Sequence, residues 1–192
     1  IFIMRLLILG GGSGQLSAIK KAQTKGHEVV VSDYYEDAPG KYYAEYGETV
    51  STFDVENNIK VGRKYNIDGV MTVGTDQPVY TAIRVADSLN LPQFLSVKTA
   101  KAVTNKKHMK DTFEKNNIPT VKFKILAEDF SLQEVEDFNF PVVVKPLDSQ
   151  GQRGVFKLES PAEIKEKFSE VLKFSGEEEI LLEEHYESSE IT

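Results

Sequence analysis

Two glycine-bearing stretches, and lysines and carboxylates placed at the ends of apolar runs, are the residues of this chain with chemistry to offer. Gly10, Gly11, Gly12, Ser13 and Gly14, followed by Gln15, close one apolar run and open a helical pattern. Backbone N–H groups at such a turn, with the positive end of the helix, favour an anion. Asp33 ends the next apolar run, and an acidic residue about 20 positions after a glycine turn imitates the fingerprint that holds a ribose hydroxyl in dinucleotide-binding domains. Gln15 stands where that fingerprint has its last glycine, and a tight turn serving helix packing accounts for the same residues equally well. Asp76 comes after a later apolar run. It is placed either to accept a hydrogen bond from a substrate or to cap a helix that begins at Gln77.

The second half of the chain carries the cations. Lys106 opens a helical stretch, an unfavourable place for positive charge unless an anion lies nearby, although Lys107 and Lys110 on one side of that helix are also compatible with plain solvation. Lys145 ends the run Val142, Val143, Val144, where a charge commonly means only that the strand has reached water. The neighbouring glycine loop changes that balance. Gln150, Gly151, Gln152, Arg153 and Gly154 lie between two strands, without the Gly-Lys-Ser/Thr of a P-loop. A glycine hairpin that lays N–H groups over phosphates beside a lysine is the device of protein kinases; the plain alternative is a flexible hairpin. Last, the apolar run 180–182 enters Glu183, Glu184, His185 and Tyr186, with Glu190 beyond. A strand end can offer backbone N–H and C=O groups to the edge of an adenine ring, and a carboxylate can accept from its exocyclic amine or from a ribose hydroxyl. The acidic run 177–179 reads as a solvated turn.

The elements that must position these residues change character near the middle of the chain. Strands are expected at 6–9, 28–32, around Val50, at 69–73 and at 93–95, with helices at 15–25, 54–65 and 77–89. That alternation predicts a parallel sheet covered by helices on both faces. Helices come next at 96–104 and 107–116, after which strands lie closer together, at 121–126, 141–146, 154–158 and 180–184, with helices at 131–138 and 161–174. Two domains are expected, 1–96 and 97–192, with the boundary within 96–118.

Composition narrows the partners. Thirty acidic residues against 23 basic ones give a net charge of −7, which repels a phosphate backbone and argues against nucleic acid. The absence of cysteine excludes disulfides and thiolate metal sites, and His27, His108 and His185 show no ligand spacing. The apolar start, 1–9, is interrupted by Arg5 and is too short to span a bilayer, so it reads as a buried strand, with Met4 a candidate natural initiator. A cytoplasmic protein with no membrane partner is expected.

Taken in order, these stretches resemble the ATP-grasp superfamily, including its carbamoyl-phosphate-synthase-like members and the carboxylase of purine synthesis. The motifs that carry the resemblance are the glycine-turned α/β start, the Asn105-Lys106 helix start, the Val144-Lys145 strand end, the glycine loop at 149–154, and the strand ending in Glu183-Glu184 with Glu190 after it. The resemblance implies a Rossmann-like preATP-grasp domain followed by the first, incomplete part of an α+β ATP-grasp domain. It implies that Lys106 and Lys145 contact ATP phosphates and that residues 150–154 close over them. It further implies that Glu183 accepts from the adenine amino group, that the backbone of Glu184, His185 and Tyr186 pairs with the ring edge, and that Glu190 holds ribose hydroxyls. Gly11, Gly12, Ser13, Gly14, Gln15, Asp33 and Asp76 then face the carboxylate or acceptor substrate.

The same resemblance places the Mg²⁺ ligands, and an arginine that steadies the acyl phosphate, in a strand pair after Thr192. No catalytic or metal residue is therefore expected within 1–192, and this portion is expected to turn over no ATP alone. ATP and Mg²⁺ are the implied cofactors, a small-molecule carboxylate and a nucleophile the implied partners, and a homodimer is allowed. The competing readings are an NAD(P)-binding oxidoreductase domain, which rests on the glycine turn and Asp33, and a non-catalytic substrate-binding module.

Overall fold

A computed structural model describes residues 2–187. The chain forms two compact units, Ile1–Thr104 and Asn105–Thr192.

The first unit is built on four parallel strands. β1 (Arg5–Leu9), β2 (Glu28–Asp33), β3 (Tyr46–Thr49) and β4 (Gly69–Thr72) lie in the order β3-β2-β1-β4. Central strands covered on both faces have no solvent side, which is why β1 and β2 read as continuous apolar runs. Leu7, Leu9 and Val30 point to one face and pack with Ile59, Val61, Ala82 and Val85 of α2 (Val55–Tyr65) and α3 (Pro78–Ser88). Ile8, Val29 and Val31 point to the other and pack with Ile19 and Ala22 of α1 (Leu16–Thr24). α4 (Val97–Thr104) closes the unit. Because the chain moves outward from β1 through β2 to β3 and returns to the opposite side of β1 as β4, the strand order reverses between β1 and β4. Ligands of open α/β sheets sit at such a reversal, beyond the carboxyl ends of the strands.

The second unit is an antiparallel sheet, β5-β8-β6-β7, made of β5 (Phe123–Leu126), β6 (Val142–Pro146), β7 (Phe156–Leu158) and β8 (Ile180–Glu184). In sequence before it comes α5 (Lys106–Lys115), capped by Asn105, whose side chain accepts from the N–H groups of Lys107 and His108. Val142, Val144, Leu158, Ile180 and Leu182 bury one face of the sheet with Ile164, Phe168 and Val171 of α6 (Pro161–Leu172).

Three expected elements differ. Residues 93–95 are not a strand; they come after Pro92, which has no N–H to donate to a ladder. The stretch 131–138 contains only a 3₁₀ turn, Leu132–Val135, opened by a Ser131/Glu134 capping box. β3 ends at Thr49 rather than centring on Val50, since its polar sequence belongs to an edge strand, half-buried, that needs no unbroken apolar run.

Candidate functional site

The register of the second sheet gathers the predicted lysine and glutamate on one face. Val143 pairs with Glu183 across β6 and β8, and Lys145 lies two residues further along β6, so both side chains project from the face opposite α6. Lys145 makes an ion pair with Oε2 of Glu183. The other oxygen, Oε1, receives Lys110 Nζ at 2.5 Å. Lys110 comes from α5, donates also to Thr120 Oγ1, and stands 5.0 Å from the centre of the Phe123 ring. Burial works against ionisation of Glu183, but hydrogen bonds and charge from Lys110 and Lys145 outweigh it and hold the carboxyl below its ordinary range.

Lys110 is the residue that sequence reasoning missed. Reading it as solvated is wrong: it is only 4 % exposed, as is fitting for a lysine whose charge is met by a carboxylate that is itself 8 % exposed. The available signal was its spacing, one turn after Lys106 on the same side of a helix. The acidic turn at 177–179 is likewise not merely solvated. Glu179 pairs with Lys107, and Glu177 accepts from Asn105 Nδ2 at 3.0 Å, so carboxylates supply the anions that a lysine-rich helix start calls for.

Lys106 ties the start of α5 to the loop after β6. Its backbone N–H donates to Leu147 O at 2.8 Å and its Nζ to Ser149 O at 2.6 Å. Gly151, Gln152 and Gly154 in that loop all have positive φ, and Gly151, Gln152 and Arg153 are exposed. Gly154 is required at its position: a Cβ there would stand 2.9 Å from both Phe174 and Pro146. Asp148 fastens the loop's base by accepting from Ser175 Oγ and Gly176 N.

At the end of β8 the backbone is less available than expected. The N–H of Glu184 donates to Lys122 O and that of His185 to Pro141 O, each within the unit, and the Glu184 carboxylate accepts from the backbone and side chain of Asn139. Of the groups expected to meet an adenine edge, these N–H donors are committed to the protein. Tyr186 is exposed. Glu190 lies outside the described residues.

In the first unit the glycine turn leaves β1 at the carboxyl edge of the sheet. Asp33 serves this turn directly, one carboxylate oxygen accepting from Gly11 N–H at 2.7 Å and the other from Tyr35 N–H at 2.8 Å. Gly11 O in turn accepts from Gly40 N–H at 2.6 Å. Gln15 reaches across the reversal between β1 and β4, donating to Val73 O at 2.5 Å, with its side chain against Gly10 and Gly12. Ser13 and Gly14 are exposed. Asp76 is not the cap of α3; that position is Gln77, whose side chain donates to Thr104 O, while the Asp76 carbonyl accepts from Val79 N–H. Gln15 lies where a dinucleotide fold keeps glycine for close helix–strand packing, and Asp33 is engaged by the turn itself. Both observations weigh against the oxidoreductase reading.

A glycine-turned parallel unit followed by an antiparallel unit fits the N-terminal portion of an ATP-grasp ligase. The particular proteins that the chain resembles include a ligase, a synthetase and a carboxylase domain. Phosphoribosylamine–glycine ligase of Pyrococcus abyssi is 30% identical to it, over 98% of this chain and 44% of the relative. The structure is similar to phosphoribosylglycinamide synthetase from Anaerococcus prevotii (TM-score 0.65, 24% identity, 97% of this chain and 46% of that one). It is also similar in fold to the biotin carboxylase domain of the Hydrogenobacter thermophilus 2-oxoglutarate carboxylase, solved with MgADP and bicarbonate (TM-score 0.76, 15% identity, 97% and 45%). No protein-family model matches the chain. The chain spans about half the length of the curated relatives it matches.

Proposed function

We propose that the complete protein is an ATP-dependent ligase that joins a carboxylate to an amine or a related nucleophile through an acyl phosphate. The observation that carries this reading is the cationic face of the second unit, where Lys145 meets Glu183 beside a glycine hairpin whose base is held by Lys106. The similarity to a phosphoribosylamine–glycine ligase supports it. Lys106 and Lys145 bind the nucleotide phosphates, and residues 150–154 cover them. Glu183, each oxygen of which already carries one lysine, has lone pairs left to accept from the adenine amine. The Gly11–Gln15 turn, with Asp33 bonded to Gly11 N–H and Asp76 three residues after the Val73 carbonyl that Gln15 reaches, faces the carboxylate or acceptor.

In the reaction a carboxylate oxygen attacks the γ-phosphorus of ATP, ADP departs, and the nucleophile's nitrogen then attacks the acyl carbon as phosphate leaves. The lysines neutralise charge that develops on the phosphoryl oxygens. Mg²⁺ is part of the proposal; among the described residues no group of three or more His, Asp or Glu side chains could hold a metal ion. No helix among the described residues is long and apolar enough to cross a membrane; a cytoplasmic location and a homodimeric state are part of the proposal.

The test is Lys145→Ala in the complete protein. ATP affinity, measured by calorimetry, should fall while circular dichroism stays unchanged, and ADP release should require a carboxylate substrate. An unchanged ATP affinity would remove Lys145 from the site.

A further inference from the structure

Glu183 has two lysines, and the structure distinguishes them. Lys110 is held from three directions, by Glu183 Oε1, by Thr120 Oγ1 and by the face of Phe123, and it is almost wholly buried. Lys145 has Glu183 as its ion-pair partner, and a quarter of its side chain is exposed. Lys110 lies on α5 and Lys145 on β6, so they approach the carboxylate from different elements and engage different oxygens.

We propose that Lys110 is the permanent counter-ion of Glu183 and Lys145 the exchangeable one, so that Lys110 is a positioning residue that frees Lys145 to leave Glu183 for an anionic ligand. The inference rests on the nucleotide reading given above and deepens it. A buried carboxylate with no cation is strongly unfavourable, so a single lysine partner would be tied to Glu183. With Lys110 already fixed on Oε1, departure of Lys145 leaves Glu183 compensated. A phosphate oxygen can then compete for Lys145 at little electrostatic cost. Lys110 itself touches no phosphate. Among the described residues, the charged groups that face Glu183, and so set its response to pH, are Lys145 on β6 and Lys110 on α5.

The experiment uses the complete protein, ATP as the ligand, and calorimetry across a pH range. Lys110→Met should weaken ATP binding about tenfold at neutral pH, a typical size for coupling between residues of one network. On a Glu183→Gln background, which by itself alters the adenine contact, Lys110→Met should cause no further loss of ATP affinity, because a neutral amide no longer holds Lys145. Lowering the pH toward the carboxylate range should recover part of the loss in Lys110→Met alone. A purely structural Lys110 predicts the same loss of about tenfold from Lys110→Met on the Glu183→Gln background as on the wild type, and that result would overturn the proposal while leaving the nucleotide site standing. Wild-type protein that binds no ATP would overturn both. Should Lys110→Met fail to fold, amine labelling of the wild type followed by mass spectrometry decides the matter. Lys145 should be labelled in the free protein and protected by ATP, with Lys110 unlabelled in both states; labelling of Lys110 at the rate of Lys145 would refute the distinction.

Discussion

Replacing Glu183 with alanine should damage the second unit more than any surface charge reversal could. The substitution strands Lys110, which is 4 % exposed and draws its main compensation from Glu183. Removing one partner of a buried ion pair typically costs about 3–5 kcal/mol, because the remaining charge is left unpaired in a poorly polarisable environment. The lower end, about 3 kcal/mol, applies here: Thr120 and the Phe123 ring still hold Lys110, and Lys145 is exposed enough to turn to water. Against a total stability of about 5–15 kcal/mol that is a large fraction. The assay is urea unfolding of the complete protein, with amide hydrogen exchange in β5, β6 and β8 reporting on this unit. The direction of the pKa shift sets the pH dependence. The Glu183 carboxyl is held below its ordinary value of 4.5, burial raising it and the two lysines lowering it by more. Its contribution is therefore complete above about 4.5 and is lost as pH falls through the lower folded value. The gap between wild type and Glu183→Ala should be constant near neutrality and close only in acid. A loss within about 0.5 kcal/mol, the range of an ordinary surface substitution, would refute the reasoning.

Gly40→Ala should destabilise the first unit by about 1–3 kcal/mol, since the added Cβ would stand 2.7 Å from Ile19 Cδ1 and 2.8 Å from the backbone Cα of Gly11; a urea midpoint equal to that of wild type would show that the glycine turn can yield. Asn105→Ala should cost about 1 kcal/mol through the lost cap on Lys107 and His108, read as faster amide exchange in the first turn of α5 and not in α6.

Much of this architecture was legible in the residues themselves. A short unbroken apolar run such as Leu6-Leu7-Ile8-Leu9, bounded by glycine, fits a strand covered on both faces, and the glycine turn after it marks the carboxyl edge, because both inferences depend on local pattern and backbone sterics. The lysine at the end of β6 and the glutamates at the end of β8 were visible for the same reason: a charge that terminates an apolar strand is conspicuous. Their partnership was not visible. Lys145 and Glu183 meet through an antiparallel register between strands far apart in sequence, and no local pattern encodes which residues stand opposite one another. Lys110 shows this most plainly. In sequence it is one more cation on a polar helix, and only the folded unit decides that its charge is buried and met by a carboxylate. Asp33 and Gln15 were picked out by spacing, but spacing is silent on direction. Their side chains turn inward to hold the glycine loop and the end of β4, and the orientation of a polar side chain depends on which backbone donors and acceptors the folded chain brings within reach.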